Sequence, residues 1–230
     1  MKNRVLQPSL SAGERSIVGV AACLALLYWL SLWGPDYPGH WLLKASPMLL
    51  AAVLLARTLS TRFAFPMAIG YLAAAGGDIF LALDRDQFLM QALLCFLVTQ
   101  IAYVAAFSGQ TRPLAGRWKF WLPAVIYGAL MYLIMLPGLG GFLLPVLVYV
   151  TVLVAMVIAA SLVERKPGLL LAGAALFLIA DSLIGLNRFV TSLTVAEPII
   201  VAIYTSGQLM ILVGALRALP RQPAARLRAT

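Results

Sequence analysis

The sequence predicts an all-α integral membrane protein with eight transmembrane helices, and three observations carry that reading. Of the 230 residues, 63% are hydrophobic and only 11% are charged, with a mean hydropathy of +0.96; a water-soluble domain carries far more surface charge. A bilayer crossing needs about 20 predominantly apolar residues, and eight segments of the chain meet that requirement. The basic residues, finally, sort almost wholly to one side when the ends and loops between those segments are numbered alternately.

The first segment, 16–33, is too long for a signal-peptide core and lacks a small-residue cleavage site, so it reads as a helix. The second, 41–56, is the weakest, because Lys44 and Pro47 interrupt its start. The third, 63–83, is FAFPMAIGYLAAAGGDIFLAL and carries one carboxylate, Asp78, in an otherwise apolar run. The fourth, 88–107, contributes Gln100 and Tyr103; the fifth and sixth span 118–136 and 141–162. The seventh, 169–187, holds a second acid, Asp181, and the eighth, 198–216, carries Tyr204 and Gln208. No soluble domain fits between or beside these segments, so residues 1–230 read as a single membrane-embedded domain.

A net charge of +9 raises the possibility of a nucleic-acid partner, and the distribution of charge answers it. Lys2, Arg4, Arg15, Arg57, Arg62, Arg112, Arg117, Lys119, Arg165, Lys166, Arg217, Arg221, Arg226 and Arg228 fall on one side, 14 of 17 basic residues. Only Lys44, Arg85 and Arg188 fall on the other. By the positive-inside rule both termini are cytoplasmic, and a wrong helix count would scramble the split. The basic tail RALPRQPAARLRAT reads as a topology anchor, with anionic lipid as the alternative partner. Arg outnumbers Lys 13 to 4, which fits a GC-rich bacterial source and places the protein in a bacterial inner membrane.

Several chemistries lack their residues. His40 is the one histidine, and Cys23 and Cys95 lie within apolar segments as packing residues. A zinc hydrolase would have too few ligands. There is no G-x-S-x-G elbow, P-loop or dinucleotide fingerprint. No metal and no organic cofactor is expected.

Asp78 and Asp181 remain as acids deep inside the membrane, where a carboxylate costs about 2.5–3.5 kcal/mol on insertion scales and is functional by default. The competing reading is an interhelical hydrogen bond that only fixes packing. Both acids lie on segments that run outward, Asp78 16 residues after Arg62 and Asp181 15 after Lys166. At 1.5 Å per residue each climbs roughly 22–24 Å, to nearly the same level in the outer half of the bilayer. Asp78-Ile-Phe-Leu-Ala-Leu83 and Asp181-Ser-Leu-Ile-Gly-Leu186 share the pattern D-x-x-(L/I)-(A/G)-L, a possible trace of a four-plus-four parallel duplication, with coincidence as its rival.

Helical spacing adds faces to the depths. Gly70, Ala74, Asp78 and Ala82 share a small-residue face that another helix can approach closely. Asp181, Gly185 and Arg188 share a second face, and Glu197, Tyr204 and Gln208 form a polar stripe. Together these outline an outward-facing polar cavity with the two acids at its floor and Tyr204 and Gln208 on its wall. Lys44, Asn187 and Arg188 stand near its rim, although Lys44 alone reads more simply as a lysine snorkelling to the interface. Cations above buried acids suit an anionic amphiphile whose tail stays in lipid.

At these positions the sequence resembles the YhhN-like membrane proteins, which include the lysoplasmalogenases. The resembling stretches are Gly77-Asp78-Ile79-Phe80-Leu81, Tyr103-Val-Ala-Ala-Phe107, Ala180-Asp181-Ser182-Leu183 continuing to Arg188-Phe189, Tyr204-Thr-Ser-Gly-Gln208, and Lys44-Ala-Ser-Pro47. One departure is Gln100, where the family pattern leads one to expect a histidine. The resemblance implies hydrolysis of the vinyl ether bond of a lysophospholipid taken from the membrane, giving a fatty aldehyde and a glycerophospho-headgroup alcohol. Such chemistry calls for one protonated acid and one charged carboxylate, the division of labour of glycosidases, and so casts Asp78 and Asp181 as catalytic. Lys44, Asn187, Arg188, Tyr204, Gln208 and Tyr103 would then bind substrate. The rivals are a proton-coupled transporter of a small amphiphile, because buried acids also relay protons, and a non-catalytic lipid-binding protein.

Overall fold

The computed structural model describes residues 10–222 except 36, 110, 112, 166 and 193–195. Of the basic residues used above, Lys2, Arg4, Arg112, Lys166, Arg226 and Arg228 lie outside the described residues.

Eight α-helices follow one another: α1 (Ala12–Ser31), α2 (His40–Thr58), α3 (Thr61–Leu83), α4 (Leu89–Phe107), α5 (Trp118–Met135), α6 (Leu143–Leu162), α7 (Gly168–Phe189) and α8 (Ala196–Ala218). Each of the eight is long and apolar enough to cross a membrane, and the chain is an integral, multi-pass membrane protein. Its outer surface is apolar, with Phe65, Leu133 and Leu144 each more than half exposed, as expected where lipid rather than water is the solvent.

Two boundaries differ instructively from the apolar spans read from sequence. α1 begins at Ala12 because Ser11 accepts from the Glu14 backbone and Glu14 reaches back to the Ser11 N–H at 2.7 Å, a capping box that extends the helix beyond its apolar run. α7 continues to Phe189, which carries Asn187 and Arg188 on the helix. α2 runs unbroken through Pro47. Proline cannot donate to the Leu43 carbonyl four residues back, and the Ser46 hydroxyl donates to that oxygen instead, at 2.8 Å. At its entrance Gly39 takes φ 83°, a left-handed turn that residues with a Cβ avoid.

Helix neighbours place the interior. α2 packs on α3, α3 on α4, α4 on α6, α6 on α7, α7 on α8, and α8 on α2, while α1 leans on α2 and α8 and α5 on α6 and α7. The first six relations close a ring, and α1 and α5, the least buried helices, stand outside it. α7 and α8 touch backbone to backbone: a Cβ on Gly173 would lie 2.6 Å from the Gly207 carbonyl oxygen. Small residues permit that approach where apolar lipid removes the hydrophobic drive for helix association.

The two ends of the bundle are tied by different groups. At one end the α2–α3 corner meets the chain after α8, with Ser60 N–H donating to Pro220 O at 2.9 Å and Gln222 N–H to Thr58 O at 3.0 Å. Arg221 there pairs with Glu14 at 3.0 Å, and Thr111 bridges to Val163. At the opposite end Arg85 pairs with Glu197 at 3.2 Å and Arg188 with Asp86 at 3.3 Å. This is the up-and-down alternation expected of eight crossings, with Arg57, Arg62, Arg117 and Arg165 all at the first end.

Candidate active site

The ring interior gathers polar side chains that sequence distance keeps apart. Asp78 comes from α3 and is buried, at 2% exposure; Tyr204 of α8 donates to its Oδ2 at 3.2 Å. Asp181 comes from α7 and is also buried. Its Oδ2 accepts from Tyr149 of α6 at 2.5 Å and from Gln100 of α4 at 3.2 Å. Asp78 lies within electrostatic range of Asp181. The two acids thus share one interior, each with its own partners.

Gln208 extends the network. Its Oε1 accepts from Tyr103 at 2.8 Å, and its backbone carbonyl accepts from Tyr71 at 2.7 Å. Thus the polar stripe of α8 faces α3, α4 and the loop between them: Glu197 meets Arg85, Tyr204 meets Asp78, and Gln208 meets Tyr103. Glycines of α3, Gly70 on its small-residue face and Gly77 beside it, serve the same assembly. A Cβ on Gly70 would stand 2.5 Å from the Tyr103 ring and one on Gly77 2.8 Å from the Phe96 ring, so the glycines admit the aromatic rings of α4. Phe96, Phe177 and Tyr204 pack edge to face, with centroids 5.5–6.1 Å apart.

Among the described residues, three buried side-chain atoms have no hydrogen-bond partner: Asp181 Oδ1, Gln100 Oε1 and Gln208 Nε2. An unpartnered buried polar atom costs about 1–3 kcal/mol and is characteristic of sites that receive a ligand or water. All three belong to this network.

A cavity of about 310 Å³ runs among α4, α5, α6 and α7. Its walls are apolar, including Leu93, Leu97, Met131, Leu153 and Phe96, and its polar lining comes from Tyr149, Asp181, Ser182 and Arg188. Asp181, Gly185 and Arg188, the face expected from spacing, all line it. Leu94, Leu144 and Val148 line it too and are 45–65% exposed on the bundle exterior, so it opens sideways toward lipid. Leu89, Ile184, Arg188 and Phe189 are shared with a second, more polar space of about 470 Å³ bounded by Arg85, Asp86, Asn187, Thr191 and Ser192. The two spaces form a polar vestibule above an apolar chamber, with Asp181 in the chamber wall.

Placement differs from the sequence reading at several residues. Asp78, Tyr204, Gln208 and Tyr103 stand in the network behind the chamber and are not among the residues that line it. Lys44 is buried, at 7% exposure, rather than at the rim; its ammonium sits 5.6 Å from the centre of the Tyr28 ring and within electrostatic range of Asp78. Inside the bundle the ammonium is met by the Tyr28 ring and the field of Asp78 rather than by interfacial water, so Lys44 does not snorkel. Tyr149 was missed altogether. Its signal was a lone aromatic hydroxyl in the aliphatic run VLVYVTVLV, which needs a partner when buried. Among the described residues no three His, Cys, Asp or Glu side chains converge as a metal site.

A family model described as the YhhN family matches residues 39–215. Two similar proteins are the lysoplasmalogenase TMEM86A of Homo sapiens, 31% identical over 91% of this chain and 90% of its own length, and that of Bos taurus, 30% identical over 88% of each. No solved structure matches the chain.

Proposed function

The chain belongs to the YhhN family, and on that premise we propose that it is a lysoplasmalogenase-like hydrolase cleaving the vinyl ether bond of 1-alkenyl lysophospholipids. The products are a fatty aldehyde and glycerophosphoethanolamine or glycerophosphocholine. The observation that carries the reading is a carboxylic acid, Asp181, buried in the wall of an apolar chamber that continues into a charged vestibule.

The geometry suits an amphiphile. Arg188 follows Asp181 by seven residues on one helix, a rise of about 10 Å, the scale of a glycerophosphate unit. A phosphate held by Arg188 and Asn187 in the vestibule thus brings the vinyl ether to the level of Asp181, and the alkenyl chain continues between Leu97 and Leu153. The present Arg188–Asp86 pair is exposed, at 47% and 87%, so it contributes at most about 1 kcal/mol and yields readily to a phosphate.

In the reaction a carboxylic acid protonates the vinyl carbon that does not bear oxygen, leaving an oxocarbenium-like cation at its neighbour. Water adds there and returns a proton to the carboxylate, and the resulting hemiacetal collapses to aldehyde and alcohol. Asp78 and Asp181 divide the work as proton donor and charged stabiliser, the pairing used for glycosidic oxocarbenium ions. Tyr204 orients Asp78, Lys44 balances its charge, and Gln208 and Tyr103 brace Tyr204 through α8. No cofactor takes part. The same reading keeps residues 1–230 as one domain with both termini cytoplasmic in a bacterial inner membrane, so that the vestibule faces the outer leaflet.

Purified protein in detergent, given lysoplasmalogen, should release free aldehyde, and the matching 1-acyl lysophospholipid should release none. A transporter or a lipid-binding subunit would release aldehyde from neither lipid, and that outcome would overturn the proposal.

A further inference from the structure

The two acids are not equivalent in their surroundings. Asp181 lines the chamber, and Asp78 is not among its lining residues. Asp78 has a cation, Lys44, in electrostatic range, whereas the groups bonded to Asp181 are two neutral donors. Both donors converge on one oxygen, Oδ2, and the other, Oδ1, has no partner although it is buried. Three helices, α4, α6 and α7, supply this arrangement, and Tyr149 itself stands in the chamber wall.

We propose that Tyr149 and Gln100 are positioning residues that hold Asp181 by Oδ2 and leave Oδ1 to meet the substrate, making Asp181 the proton donor and Asp78 the charged partner. This rests on the hydrolase reading above and assigns roles within it. As the Oδ1–H bond breaks and the new C–H bond forms on the vinyl carbon, the electron pair left on the carboxyl group is drawn onto Oδ2. The Tyr149 O–H and Gln100 N–H already point at that oxygen, so their bonds strengthen as charge develops and favour the transition state over the ground state. When water adds to the cation, its proton returns to Oδ1 and the acid is restored. Neither Tyr149 nor Gln100 needs to exchange a proton, so a glutamine serves where an imidazole could also stand.

The test joins kinetics with infrared spectroscopy. Tyr149→Phe keeps the ring and removes the donor; Gln100→Met removes the other and guards against a folding failure of the first. Each should lower kcat on lysoplasmalogen by about 10–100-fold, the scale of a hydrogen bond to a charged group, with KM within about twofold because binding common to ground and transition states is untouched. Difference spectra against Asp181→Asn and Asp78→Asn identify the two carboxyl bands. The saturated 1-O-alkyl lysophospholipid, which cannot be hydrolysed, should shift the Asp181 band and leave the Asp78 band in place, and Tyr149→Phe alone should shift the Asp181 band. Normal kcat in both variants, or a ligand response confined to the Asp78 band, overturns the assignment. If the wild-type protein releases no aldehyde, the hydrolase reading falls, and the infrared response to the ether lipid still decides which acid faces the chamber.

Discussion

Replacing Asp181 by asparagine and by alanine separates its chemistry from its packing. The asparagine carbonyl can take the place of Oδ2 and accept from Tyr149 at 2.5 Å and Gln100 at 3.2 Å. Its amide then occupies the position of Oδ1, an atom already without a partner in the native protein. The fold should therefore change by less than about 1 kcal/mol, because neither the Tyr149 nor the Gln100 donor loses its acceptor. Catalysis should not survive so well. An amide cannot deliver the proton, and loss of general acid catalysis lowers kcat by about 10²–10⁴-fold, a barrier increase of roughly 3–5 kcal/mol. Alanine instead leaves the Tyr149 hydroxyl and the Gln100 amide buried without an acceptor, at about 1–3 kcal/mol each, a large part of a typical stability of about 5–15 kcal/mol. Aldehyde release measured alongside thermal unfolding in one detergent resolves the two effects. A folded Asp181→Asn protein with near-normal turnover would refute the acid role. Equal destabilisation by asparagine and alanine would refute the hydrogen-bond account. The double variant with Asp78→Asn should lose far less than the product of the two single losses, because the acids act as a unit.

At the vestibule, Arg188→Ala should raise KM several-fold with kcat nearly unchanged, whereas Lys44→Met, buried beside Asp78, should lower kcat; steady-state kinetics that show the reverse would exchange their roles. Gly173→Ala forces a Cβ to within 2.6 Å of the Gly207 carbonyl oxygen and should cost about 1–3 kcal/mol through overpacking, read as a lower unfolding temperature; unchanged stability would show that the helix contact is looser than described. In a background without Cys23 and Cys95, a cysteine at exposed Gln87 should react with an impermeant maleimide in intact cells and one at Gly116 should not, since basic residues mark the Gly116 end as cytoplasmic; labelling at Gly116 would invert the topology.

Whatever depends on one helix at a time was legible in the amino-acid sequence. Lipid demands apolar runs of a set length with internally bonded backbone, so the eight helices, their alternation and the two intramembrane acids were legible from composition and spacing. The shared face of Asp181, Gly185 and Arg188 was legible too, because a helix repeats every 3.6 residues whatever surrounds it. The YhhN-family resemblance at Asp78, Asp181, Tyr204 and Gln208 added a reaction but no distances. Which helices adjoin is a property of packing between segments, and nothing in one segment's periodicity specifies it. Only the ring of α2, α3, α4, α6, α7 and α8 brings Tyr149 and Gln100 onto Asp181 and encloses Lys44 in the bundle. The chamber was likewise beyond reach of the sequence, since it is the space left among α4, α5, α6 and α7 when their side chains meet. One acid faces that space because α7 turns Asp181 toward it, while α3 turns Asp78 toward Tyr204 on α8.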